Sequence, residues 1–139
     1  MQQNNMQGIR KKITLAEQID LTGTKPATML FNGKEFRYMR HDGWKGVYVD
    51  LAKELYHIAP QEMRELAASQ REFFISDEPV CWAVGNREFA KNYEPDWWVK
   101  VDENVFIYTK NNTNAKIKRM RWLLEAFKQK PAEITIVLY

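Results

Sequence analysis

Asn32 and Gly33 stand between the short apolar run Met29-Leu30-Phe31 and a return strand carrying Phe36, Tyr38 and Met39. A two-residue type I′ turn needs positive φ at both central positions, and Asn followed by Gly tolerates this best. The stretch therefore predicts a β-hairpin. His41-Asp42-Gly43 breaks the return strand. Trp44, Val47, Tyr48, Leu51, Leu55 and Ile58 then recur at helical spacing. At 100° per residue these six share one face, whereas Lys45, Asp50, Lys53, Glu54 and His57 fall elsewhere. Asp42 is a candidate cap for the helix start. Ala59-Pro60 ends the helix, because proline disfavours helix at the residue before it. A hairpin running straight into an amphipathic helix, over residues 28–58, is the unit around which the chain is organised.

The flanking segments carry weaker versions of the same signals. Residues 1–12 read as a flexible arm ending in Arg10-Lys11-Lys12. From Ile13 to Leu21 the pattern is ambiguous, although Thr14 and Glu17 have the spacing of a capping box for a short helix. Pro60 is a good first residue for a second helix, whose inner face would be Met63, Leu66 and Ala67. Residues 71–75 and 80–84 read as short strands around a turn at 76–79, and Arg87 to Tyr93 as a helical turn. Trp98 to Val101 and Val105 to Thr109 form a second hairpin. Thr113 or Asn114 can cap a last helix that runs to about Lys128, with Ile117, Met120, Leu123, Leu124 and Phe127 inward. Ile134 to Leu138 is a terminal strand, apolar enough for the middle of a sheet. The expected fold is α+β: a mostly antiparallel sheet of about five strands, two hairpins plus the C-terminal strand, with two or three helices packed on it. Residues 13–139 would form one domain.

Composition narrows the function classes. A chain of 139 residues can bury a core without disulfides. The one cysteine, Cys81, cannot form an internal bridge, which fits a reducing cytoplasm. The N-terminus is rich in Asn and Gln and has no apolar run of the signal-peptide kind. No segment approaches the roughly 18 apolar residues of a membrane span. A cytoplasmic, non-membrane protein is expected.

No catalytic set assembles. The two histidines, His41 and His57, and Cys81 are too few for a zinc site of ordinary composition. Glu54-Leu55-Tyr56-His57 has the spacing used in di-iron bundles, but such sites need two copies and further glutamates. Cys81 lies in an apolar run, as a small buried hydrophobe would. Glu94, Asp96, Asp102 and Glu103 could gather round a divalent cation, yet they flank a hairpin, where turn residues are expected. Neither a nucleophile elbow nor a phosphate-binding glycine loop is present. The expectation is a protein without cofactor or metal that binds rather than catalyses.

Charge is concentrated in one place. Seven basic residues and a single acid, Glu125, lie between Lys110 and Lys130, so this segment carries +6 in a chain of net charge +3. On the last helix, facing Ile117, Met120, Leu124 and Phe127 inward turns Trp122 outward. Lys118 and Glu125 share its arc, and Arg119 and Arg121 flank it. Lys110 and Lys116 lie just before and within the first turn. A tryptophan among cations can stack on a base while the cations hold phosphates. It can also anchor a protein interface, where Trp and Arg are common hot-spot residues. The bland alternative is a helix covered on two sides, for example by Trp97, Trp98 or the N-terminal segment. Nucleic acid and a protein partner are thus the two partner classes expected, through Lys110, Lys116, Lys118, Arg119, Arg121 and Trp122.

One resemblance bears on these readings. Lys25-Pro26, Phe31, Gly33-Lys34-Glu35-Phe36, Trp44-Lys45, Leu51, Leu55-Tyr56 and Pro60 form its opening. Phe106-Ile107-Tyr108, an Asn-rich loop, Leu123-Leu124-Glu125-Ala126-Phe127 and Ile134-Thr135-Ile136-Val137-Leu138 complete it. Over residues 25–138 the chain resembles a small C-terminal accessory module of bacterial restriction and phage-defence proteins, departing from it around Val80 to Trp98. The matching positions determine packing. The resemblance implies an accessory domain that binds nucleic acid or docks on a partner, and no catalytic residues.

Overall fold

The Asn32-Gly33 turn adopts the backbone its residues favour, with φ of 54° at Asn32 and 75° at Gly33. It joins β2 (Pro26–Phe31) to β3 (Lys34–Arg37), in a register that pairs Phe31 with Lys34 and Met29 with Phe36. The structure is a computed structural model that describes residues 11–69, 84–92 and 95–139. The strand expected at 71–75 and most of that expected at 80–84, with Cys81 and Trp82, lie outside the described residues, as does Glu94. At the N-terminus the chain enters the sheet as β1 (Lys12–Thr14). The capping-box pair that follows closes a turn rather than a helix: Thr14 N donates to Glu17 Oε2 at 2.8 Å, and Glu17 N to the Thr14 carbonyl at 3.2 Å. Ile13 is the reason, since it pairs with Ile136 and is buried, and tertiary packing outweighs local preference.

The hairpin leads into α1 (Gly43–Ile58). Asp42 does not cap this helix. Its Oδ2 accepts from Met39 N at 2.7 Å, closing the single 3₁₀ turn Arg40–Asp42 that precedes it. Trp44, Val47, Tyr48, Leu51, Ala52, Glu54 and Leu55 are buried. At 100° per residue they cover an arc of roughly 160°, much wider than a single sheet face requires. Ile58, placed on the same face by its spacing, is 37% exposed at the helix end. α2 (Pro60–Ala68) starts at proline as expected and buries Met63 and Ala67. After α3 (Arg87–Asn92), β5 (Trp98–Asp102) and β6 (Val105–Tyr108) form the second hairpin.

The fold is α+β, and its strands divide between two antiparallel sheets where a single sheet was expected. One has the order β1-β7-β2-β3, with β7 (Thr135–Leu138) in the interior position expected of the terminal strand. The other has the order β4-β6-β5, with β4 the short strand Val84–Gly85. The wide buried arc of α1 explains the division, because the helix packs on β2 of the first sheet and on β5 of the second. Met29, Phe31, Ile136, Val105, Ile107 and the α1 face join one core. Tyr56 ties α1 to the second sheet and to α2: its hydroxyl donates to Asp102, and accepts from Arg64 Nη2 at 2.6 Å. Among the described residues no helix is long and apolar enough to cross a membrane.

A buried carboxylate locks the hairpin onto α1. Glu54 is 5% exposed, and accepts from Asn32 Nδ2 at 2.8 Å and from Lys34 Nζ at 3.0 Å. Burial pushes its pKa up. The hydrogen bonds from Asn32 and Lys34, with the charges of Lys34 and His57, outweigh burial and hold the pKa below its ordinary value. A carboxyl depressed in the native state stabilises the fold above its unfolded pKa, and that contribution is lost as pH falls through the native value. Glu54→Gln is therefore expected to destabilise the protein by about 1 kcal/mol at neutral pH, the exposed lysine keeping the figure modest. The gap to the native protein should close at acid pH, as urea titrations at several pH values will show.

Candidate nucleic-acid interface on the last helix

The last helix, α4 (Thr113–Ala126), is capped by the residue before it: Asn112 Oδ1 accepts from Ala115 N at 2.8 Å. This leaves Asn114, a candidate for that role, free to act across the fold. Its Oδ1 accepts from Leu21 N at 3.0 Å, and its Nδ2 donates to Asp20 Oδ1 at 2.8 Å and Thr22 Oγ1 at 3.1 Å. The helix ends at Ala126, slightly before Lys128. Lys128 N donates to the Glu125 carbonyl and Gln129 N to the Leu124 carbonyl. That is a Schellman closure, with Lys128 at φ 59° in the place glycine usually takes. Ile117, Met120, Leu123 and Leu124 are buried as the periodicity requires, and Phe127 is half-buried.

The six site residues separate into two groups. Arg121 is turned onto the N-terminal loop, where Nε donates to the Leu15 carbonyl and Nη2 to the Glu17 carbonyl at 2.6 Å. Lys116 Nζ donates to the Asn111 carbonyl. Burial, and then the nearby charge of Lys45, push its pKa below the usual lysine range. Arg119 Nη1 lies 3.4 Å from the Ala115 carbonyl, and its Nε is buried. These three cations are engaged with main-chain carbonyls, Arg121 across the fold and Lys116 and Arg119 within α4 and the loop before it. Lys118 and Lys110 face outward, each over an indole. Lys118 Nζ is 4.8 Å from the centre of the Trp122 ring, and Lys110 Nζ is 5.1 Å from that of Trp97. Both distances suit cation–π attraction.

Trp122 is half-buried, not fully exposed. The N-terminal loop covers one flank of α4 because Asn114 grips it near one end and Arg121 near the other. Between loop and helix a cavity of about 420 Å³ is lined by Gln18, Ile19, Asp20, Asn114, Ile117, Lys118, Arg121, Trp122 and Glu125. A second cavity, of about 520 Å³, shares Gln18, Arg121 and Glu125 and extends to Lys128 and Lys130. The two make a groove along α4 with an indole wall and charges of both signs. Asp20 stays anionic there: hydrogen bonds from Asn114 and Thr22 lower its pKa from the ordinary 3.8 to about 2. Asn114→Ala removes the first of these, so the Asp20 carboxyl is expected to titrate closer to 3.8, a shift that carboxyl-carbon NMR reads directly.

Helix periodicity could locate Trp122 and Lys118, but not the loop that walls the groove. Asn114 and Leu21 are 93 residues apart, and nothing local to either foretells the pair. Two of the acidic residues read as turn residues flanking the second hairpin are engaged there with other side chains. Asp102 accepts from Tyr56, and Glu103 binds Arg87 at 2.7 Å and Lys100 at 3.1 Å. Among the described residues no group of three or more His, Cys, Asp or Glu side chains could hold a metal ion. The site thus belongs to a small α+β domain with a mixed-charge, aromatic-walled surface groove. No family model, curated protein or solved structure matches this chain.

Proposed function

We propose that the protein is a non-enzymatic accessory module that contacts single-stranded nucleic acid through the groove beside α4. The observation that supports this reading is the Lys118–Trp122 pair, a cation held over an indole at the edge of an open cavity. A base entering the groove displaces the flexible Lys118 side chain and stacks on the ring, and the released ammonium meets the adjoining phosphate. Lys128 and Lys130 extend the positive charge along the strand. Arg121 contributes from a fixed position, because two of its donors are already committed to loop carbonyls. Binding is weak in sequence preference, since every base has a π face and no rigid array of donors reads base edges.

One feature favours a second reading, docking of a protein segment. Asp20 and Glu125 line the same groove, and their charge repels phosphates while suiting a basic or mixed peptide. Salt dependence separates the two. On single strands, log K falls against log salt by about 0.7 for each phosphate neutralised. Lys118→Ala is therefore expected to reduce the slope by about 0.7 in an anisotropy titration of a labelled oligothymidylate. Lys116→Ala leaves the slope unchanged, because that ammonium is spent on the Asn111 carbonyl. A slope near zero in the native protein excludes phosphate contacts and favours the peptide.

A further inference from the structure

The first sheet ends in an open edge. β3 pairs with β2 on one side, and among the described residues nothing pairs with its other side. An edge strand presents unpaired N–H and C=O groups, a template for a further strand. Which residues carry them follows from one bond: Tyr38 N donates to the Ala27 carbonyl at 2.9 Å. Tyr38 opposite Ala27 continues the register that pairs Phe36 with Met29 and Lys34 with Phe31. Hydrogen-bonded and non-bonded pairs alternate along an antiparallel ladder, so Lys34, Phe36 and Tyr38 turn their main chain toward β2. Glu35 and Arg37 turn theirs outward, to the free edge.

The side chains add a second constraint. Lys34 reaches Glu54 of α1, and Phe36 is half-buried against the core on the same side of the sheet. Glu35 and Arg37 alternate with them, so they stand together on the other face, and both are exposed. Arg37 Nη2 lies 3.2 Å from Glu35 Oε1 there. Charges on an open edge repel most strands, but this pair selects one. A second β3, antiparallel to the first about a twofold axis, bonds only where outward residues oppose outward residues. A centre on Glu35 opposes two carboxylates, and a centre on Arg37 opposes two guanidinium groups. A centre on Phe36 sets Glu35 of each copy against Arg37 of the other. The outward N–H and C=O groups of both residues are then bonded, each carboxylate lies between two guanidinium groups, and the two Phe36 side chains meet on the α1 side.

We propose that the β3 edge docks a second copy of this chain, in the antiparallel register centred on Phe36. Main-chain bonds hold the two strands, and the charges of Glu35 and Arg37 fix both register and partner. The contact is isologous and closes at two copies, because each chain uses its β3 edge once. None of the residues lining the groove beside α4 takes part, so the pairing does not depend on what that groove binds.

The test is sedimentation equilibrium of the full chain at low salt, across the micromolar to millimolar range. A monomer–dimer equilibrium is expected for the native protein. Glu35→Arg leaves only cations on the edge, and Arg37→Glu leaves an acid in place of the arginine. Like charges directly opposite one another destabilise a ladder, so each change is expected to weaken self-association roughly tenfold. Mixed in equal amounts, the two variants should associate about as tightly as the native chain, because every acid again meets a cation. The double variant E35R/R37E should self-associate for the same reason. Both side chains are exposed, so the native fold should persist in every variant, as circular dichroism checks. An isotope-filtered NOE between the Phe36 protons of a labelled and an unlabelled copy reads the register. A native chain that stays monomeric throughout, single variants that dimerise as the native chain does, or a mixture that fails to associate would each overturn the proposal.

Discussion

Leu51→Ala is expected to cost about 3 kcal/mol of stability, whereas Ile58→Ala, on the same helical stripe by sequence spacing, should cost well under 1 kcal/mol. Leu51 is fully buried near the middle of α1, and Ile58 is 37% exposed at its end. Removing three buried carbons leaves a cavity that the surroundings fill only in part, and here the surroundings are constrained on both sides. α1 is packed on β2 of one sheet and β5 of the other, so neither sheet can move in without losing its own contacts. For a chain of this length the loss amounts to a fall in Tm of roughly 10 °C. Denaturant and thermal melts of the two variants give the comparison. Equal, small effects would mean that α1 is a surface helix and that the two-sheet core is wrong.

Trp122→Ala is the largest change expected in binding. Stacking of one base on an aromatic ring is worth roughly 1–3 kcal/mol, so single-strand affinity should fall by at least about fivefold. The fold should persist, because the side chain is half-buried and the inward face of α4 is made by Ile117, Met120, Leu123 and Leu124. An unchanged circular-dichroism spectrum with weakened binding is the expected pair of results. The salt slope of this variant should match that of the native protein, because the change removes a π face and no cation. That separates it from Lys118→Ala.

Local signals in the sequence were reliable where a residue acts on its own backbone or its own helix. Asn32-Gly33 specified its turn, Pro60 its helix start, and the spacing from Trp44 to Leu55 its buried face. They were less informative where a residue's role lies in a distant partner. Thr14 and Glu17 make their bonds, yet in a turn, because Ile13 is recruited by Ile136. Asp42 caps the 3₁₀ turn before the helix rather than the helix itself. Glu54 falls off the apolar stripe by composition but is buried, since Asn32 and Lys34 reach it from the hairpin. The two sheets were not legible because strand pairing between segments is a property of what α1 can cover, and the hairpin signals are the same either way. In the candidate site, periodicity brought Lys118 and Trp122 to the surface. Counting charges overstated the free cations, because Lys116, Arg119 and Arg121 bond to main-chain carbonyls. A basic side chain on a helix is as well suited to satisfying a neighbouring carbonyl as to meeting a phosphate, and sequence alone does not distinguish them.

The central claim, that the groove beside α4 receives single-stranded nucleic acid, is tested most directly by fluorescence anisotropy. Labelled oligothymidylate and a duplex of matched length would be titrated at low salt with the native protein and with Trp122→Ala. Saturable binding of the single strand by the native protein, tighter than of the duplex and weakened at least about fivefold in the variant, is the predicted result. No binding at low salt, where phosphate contacts are strongest, or equal binding by both proteins, would contradict it.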